Sequence, residues 1–286
     1  INRARARLSS SRAPRCSARP KFPPPAGFPP LRWAKKNKLC PGEPYADEPS
    51  AAICSAVLIG PREVLTAAHC LRMRELKDIK VVFGYAGKKG ANFVLPEKDV
   101  YSCAGVKAGD MDSPASDLAV LKLDRAVSGR KPVALSPLKP SPGMKVSVAS
   151  YPKGMPLKVQ SNASVLAAGS ANFLTDADGF RVSSGAPVFD AQGRVLGVYS
   201  QGIGADLTPD PAQGGCNKFT RKPLGRVKVA SSDPVYAEFT GADGLLPIGS
   251  VAVTAAPMLE KLFPRSAQPL VPARVQPGKI RGSSFD

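Results

Sequence analysis

Cys54-Ser55-Ala56-Val57-Leu58-Ile59-Gly60-Pro61-Arg62-Glu63-Val64-Leu65-Thr66-Ala67-Ala68-His69-Cys70 is the stretch on which the reading of the fold turns. Ala51–Ile59 has the apolar run of a buried strand, and Gly60-Pro61-Arg62-Glu63 has the composition of a turn. Val64–Ala67 then reads as a returning strand, so the segment is a hairpin that delivers His69 at its end. His69 is the single histidine among 286 residues. Imidazole titrates near neutral pH, so a proton shuttle in this protein would fall to that side chain. A lone histidine is more often structural, and it is the adjoining cysteine and apolar run that raise its interest.

Working outward, the chain is a succession of short strands. Ile79–Tyr85, Asn92–Leu95 and Leu118–Leu123 continue the first set, and Lys131–Pro142 is a proline-rich connector. A second set follows at Lys145–Ala149, Leu157–Leu166, Ala186–Phe189 and Val195–Tyr199, with a short closing helix expected at Met258–Phe263. With 30 Pro and 26 Gly, the composition opposes a helical bundle. The expected fold class is all-β, in two consecutive units over 46–131 and 132–264. The arm 1–45 and the tail 265–286 are expected to be irregular.

The net charge of +18 is concentrated at one end: residues 1–40 hold eleven Lys or Arg and no acid. No stacking aromatics are interleaved with those arginines, so a solvated arm is the commoner reading and nucleic acid is not an expected partner. No apolar run is long enough to span a membrane. The six cysteines contain no CxxC pair, and one histidine cannot complete a usual zinc set, so no metal or cofactor is expected. Structural disulfides are the better reading. They imply an oxidising compartment, secreted or periplasmic, although no signal peptide is visible in the chain.

Three segments carry a resemblance. They are the hairpin ending in His69-Cys70, then Ser116-Asp117-Leu118-Ala119-Val120-Leu121-Lys122-Leu123, then Ser183-Ser184-Gly185-Ala186-Pro187-Val188-Phe189 followed by Tyr199-Ser200-Gln201-Gly202. In this order they resemble the trypsin/chymotrypsin-like serine peptidases, particularly bacterial secreted members, from about Ala51 to Gly202. The resemblance implies two packed antiparallel β-barrels with the cleft between them, acting as a monomer on a protein or peptide substrate. It assigns His69 as general base, Asp117 as its orienter and Ser184 as nucleophile. The chemistry agrees, because a serine hydroxyl needs a neighbouring imidazole, and the imidazole needs a carboxylate to fix its tautomer. It further implies a Cys54–Cys70 disulfide and a substrate-binding strand at Ser200, Gln201 and Gly202. Asp178 would lie at the base of the specificity pocket, where a buried carboxylate favours Arg or Lys before the scissile bond; an ordinary loop acid is the other reading. Cys40, Cys103 and Cys216 are not paired by sequence, with Cys40–Cys103 as a trial pairing, and Cys16 is left single.

The serine segment departs from the family pattern. A glycine normally stands two residues before the nucleophile and donates an N–H to the oxyanion; here the residue is Val182. Positive φ is an outlier for a β-branched residue, and losing that donor would cost on the order of 10²–10³ in turnover. The oxyanion donors are therefore expected to be Ser184 N–H with Val182 N–H in question. Ser183 replaces the acid that pairs with a new N-terminus in many animal members, so that activation switch is expected to be absent. Two function classes follow: a serine endopeptidase working through an acyl-enzyme, or a catalytically impaired homologue that binds protein or peptide in the same cleft.

Overall fold

The computed structural model describes residues 37–87, 95–109, 117–202, 206–220, 226–228, 239, 245–247 and 250–254. The tail, the Met258–Phe263 helix, most of the Asn92–Leu95 strand and the arm up to residue 36 lie outside the described residues. The first sheet comprises β1 (Val57–Leu58), β2 (Glu63–Thr66), β3 (Lys80–Val82), β4 (Val100–Gly109) and β5 (Ala119–Leu123). They pair antiparallel in the order β1-β2-β5-β4-β3. The second unit is a closed barrel. Its strands are β6 (Lys145–Ser150), β7 (Lys158–Ala168), β8 (Asn172–Thr175), β9 (Pro187–Phe189), β10 (Val195–Gly202) and β15 (Ser250–Thr254). Two small hairpins complete the described strands, β11 (Leu207–Asp210) with β12 (Cys216–Phe219), and β13 (Arg226–Lys228) with β14 (Leu245–Pro247). This is the all-β, chymotrypsin-like double-barrel architecture implied by the resemblance.

Side-chain alternation explains how the sheets pack. In β5, Ala119, Leu121 and Leu123 point into the first sheet's own core with Val64, Leu71 and Tyr101. The intervening Val120, with Leu118 and Leu65, joins Val195 and Val198 of β10 in a cluster shared by both sheets. Strands buried on both faces read as continuous apolar runs, which is why β2 and β5 are legible in sequence. The second barrel fills itself with Val146, Val165, Phe173, Leu196 and Tyr199.

Several expectations are corrected. Ala51–Ile59 pairs as a strand only at Val57–Leu58, because upstream its backbone turns to the other unit. Ala51 and Ala52 N–H donate to the Gly154 carbonyl (2.9 and 3.2 Å), and Ser55 N–H donates to the Ser184 carbonyl (2.7 Å). Cys40 does not pair with Cys103; it is disulfide-bonded to Cys216, while Cys103 is buried beneath the first sheet. Residues 37–45 make turns rather than strands, yet a Leu39–Asn217 bridge and the Cys40 disulfide fasten them to β12. β4 and β8 escape a sequence reading, because Gly105 and Gly109 interrupt the first and the second is only four residues long.

Candidate active site

Antiparallel pairing of β2 with β5 places Thr66 opposite Ala119, so the end of one strand adjoins the start of the other. His69, in the 3₁₀ turn Ala68–Arg72, therefore meets Asp117 although the two are far apart in the chain. His69 N–H donates to Asp117 Oδ1 at 2.8 Å, and the ring Nδ1 lies 2.6 Å from Oδ2. The Ser200 hydroxyl donates to the same Oδ2 at 2.5 Å. Burial pushes the Asp117 carboxyl up, but the hydrogen bonds from His69 and Ser200 outweigh it and hold the group below its ordinary range. An ionised carboxylate only accepts, so Nδ1 carries a proton, and in the neutral ring Nε2 is the acceptor.

Ser184 stands in the turn before β9. Its carbonyl accepts from Ser55 N–H and lies 3.8 Å from the Cys70 sulfur, which sets the serine turn against the histidine turn. Gly185, at φ +86°, allows this approach: a Cβ there would lie 2.0 Å from the Ser55 carbonyl oxygen and 2.3 Å from Thr66 Oγ1. The Ser184 hydroxyl donates to the Ser200 carbonyl at 3.2 Å. Ser200 thus touches both other partners, Asp117 through its hydroxyl and Ser184 through its carbonyl. A hydroxyl carries one proton, so Ser184 must release that carbonyl before it can donate to Nε2.

The turn ahead of Ser184 has a distinct pattern of backbone donors. Ser183 N–H turns back to the Phe180 carbonyl at 3.0 Å. Among the described residues, the N–H groups of Val182 and Ser184 on either side have no hydrogen-bond acceptor. Val182 takes φ +77°, the left-handed conformation that its β-branch disfavours. Its carbonyl accepts from Ser55 Oγ (3.3 Å), and Ser55 Oγ in turn accepts from Tyr151 N–H (3.1 Å).

Residues 54–198, just over half of the chain, match the trypsin-like peptidase domain family. The chain belongs to that family. A curated relative, snake venom serine protease 3 of Protobothrops jerdonii, is 30% identical over 115 residues. That match covers 38% of this chain and 42% of the venom protein, so less than half of the relative's length is spanned.

Against the trypsin-like family pattern, the Cys54–Cys70 disulfide is present and ties the ends of the hairpin that bears His69. Cys54, His69 and Cys70 also cluster closely enough to bind a metal, but both sulfurs are spent in the disulfide and offer no thiolate. From Ser200 onward β10 keeps β15 on one side, while its pairing with β9 ends at Val198. Ser200, Gln201 and Gly202 therefore lie beyond the end of the β9 pairing. Asp178 differs from the buried carboxylate the resemblance implies: it is exposed, and its N–H donates to Gln160 Oε1 at 2.8 Å. The buried side chain beside it is Tyr199. A Cβ added to Gly179 would lie 2.0 Å from the Tyr199 hydroxyl oxygen, and one added to Gly202 would lie 2.4 Å from it. Sequence reasoning did not single out Tyr199, Ser55, Lys153 or Asp206. An apolar-strand tyrosine and isolated surface-type charges carry no local signal.

Proposed function

We propose that this chain is a serine endopeptidase. The reading is carried by Ser200, which contacts both Asp117 and Ser184 while Asp117 grips His69. Ser184 Oγ attacks the scissile carbonyl as His69 Nε2 takes its proton. Asp117 holds the ring and stabilises the imidazolium. The N–H groups of Val182 and Ser184 receive the oxyanion. His69 then gives its proton to the leaving amine, and water, activated by the same nitrogen, releases the acid. An extended peptide pairs with the Ser200–Gly202 edge by strand addition. The left-handed Val182 favours the enzyme over the impaired homologue, because the donor in question is the one that conformation frees.

The test is labelling by an active-site-directed fluorophosphonate. Labelling is expected in the disulfide-bonded protein, lost in Ser184→Ala and kept in Ser183→Ala, with peptide cleavage abolished in His69→Ala. No labelling of the folded protein would return the reading to the impaired homologue.

For specificity, an exposed Asp178 is weak ground for cleavage after Arg or Lys. The closeness of the Tyr199 hydroxyl to Gly179 and Gly202 supports a shallow pocket that takes a small side chain before the scissile bond. Cleavage sites mapped in a peptide library are expected to favour Gly, Ala or Ser at that position and to admit larger residues in Tyr199→Ala. Cleavage by the unaltered protein after Arg or Lys would restore Asp178 to the pocket. The two disulfides support an oxidising, extracellular setting.

A further inference from the structure

Val182 holds a conformation that a β-branched residue leaves unless its surroundings over-determine it. Ser183 supplies no charge to anchor the turn from within; its hydroxyl donates to Ser150 Oγ, at 3.3 Å. The restraint comes from the peptide units on either side of Arg181. The Arg181 carbonyl accepts from Lys153 N–H at 2.7 Å, and Arg181 N–H donates to Asp206 Oδ2 at 3.1 Å. Lys153 Nζ forms an ion pair with that same Oδ2, and the two side chains are only 10% and 9% exposed. A closed ring results: Lys153 backbone, Arg181 carbonyl, Arg181 N–H, Asp206 carboxylate, Lys153 ammonium.

In a trans peptide the C=O and N–H point to opposite sides. Fixing the Arg181 carbonyl on Lys153 therefore turns the Val182 N–H the other way, where no acceptor meets it among the described residues. Lys153 carries a second mark of constraint. It is itself left-handed, at φ 55° and ψ 16°, with Gly154 at φ +80° beside it. Its carbonyl is held by Ser50 Oγ at 2.7 Å, and a Cβ on Gly154 would lie 2.5 Å from the Ala52 carbonyl oxygen. The loop bearing Lys153 is thus braced from behind and can act as a fixed anchor.

We propose that Lys153 and Asp206 are positioning residues that clamp Arg181 from both sides and so hold the Val182 N–H toward the cleft. They touch no reacting atom. Their catalytic consequence rests on the peptidase reading; their effect on the Val182 backbone does not.

The experiment is a double-mutant cycle of Asp206→Ala with Val182→Gly, read by peptide hydrolysis and by affinity for a peptide aldehyde, whose hemiacetal carries the oxyanion. With Val182 in place, Asp206→Ala is expected to lower kcat by on the order of 10²-fold, with KM little changed and aldehyde affinity falling in parallel. In the Val182→Gly background the same change is expected to cost less than about tenfold, because glycine takes positive φ unaided. Equal losses in both backgrounds would mark a merely structural pair and overturn the proposal. A crystal structure of Asp206→Ala supplies a readout free of activity: Val182 φ is expected to become negative, and φ unchanged overturns the clamp. If the unaltered protein neither hydrolyses peptides nor reacts with fluorophosphonate, the peptidase reading fails while this structural readout still decides the clamp. Should Asp206→Ala not fold, Lys153→Met/Asp206→Leu removes the acceptor for Arg181 N–H, leaves no unpaired buried charge and is held to the same outcomes.

Discussion

The Asp117 carboxylate is where local chemistry governs both stability and reactivity. It accepts from His69 N–H, the His69 ring and the Ser200 hydroxyl. Hydrogen bonds to a charged acceptor are worth about 1.5–3 kcal/mol each, so Ser200→Ala should destabilise the fold by about that much at neutral pH. Folding lowers the Asp117 pKa despite its burial. The stability carried by its ionised form is therefore present above the unfolded-state value of about 3.9 and lost as pH falls through the lower folded value. Urea unfolding of the two proteins should thus differ at pH 7 and converge as the pH falls through the folded value; a gap that persists in acid would separate Ser200 from the carboxylate. His69 stood out by its local context, and Asp117 through the resemblance of its segment. The identity of the third donor depends on β10 lying across the cleft, and only the resemblance pointed to it.

At the scale of elements, the site is the meeting of two turns, one after β2 and one before β9. The close passage at Gly185 sets their separation. Its φ of +86° and the 2.0 Å approach of a Cβ to the Ser55 carbonyl oxygen leave room for hydrogen alone. Gly185→Ala should therefore push the serine turn off the first sheet, costing about 3 kcal/mol or more in urea unfolding and lowering kcat in whatever folds. A variant of unaltered stability would mean that the turn yields freely. The hairpin β1–β2 was legible because its apolar residues are contiguous and its turn is Gly-Pro. The extended stretch before Val57 was read as more of the same strand. Its residues look like strand, but their backbone partners belong to Gly154 and Ser184.

At the scale of the whole molecule, two disulfides among the described residues divide their work by position. Cys40–Cys216 joins residues 176 apart and fastens the segment 37–45 to β12. Loop-closure entropy puts such a link at about 5 kcal/mol. Cys54–Cys70 spans only 16 residues, about 3 kcal/mol on the same scale, but it sits on the histidine turn against Ser184. Replacing the first pair by serine should lower the urea midpoint more and leave kcat of the folded protein largely intact. Replacing the second should lower the midpoint less and kcat more. The reverse ranking in kcat would detach the histidine turn from its disulfide.

Reading residues alone determined the all-β class, several strand positions and the prominence of His69, while the resemblance of their segments pointed to Asp117 and Ser184. Each is announced by its immediate neighbours, through alternation, apolar runs and turn residues that act within a few positions. Tertiary structure alone decided the Cys40–Cys216 pairing, the left-handed state of Val182, the Lys153–Asp206 ion pair and the packing of the Tyr199 ring against Gly179 and Gly202. These depend on which backbones the packing of two sheets brings within hydrogen-bond reach. No pattern of near neighbours along the chain encodes that.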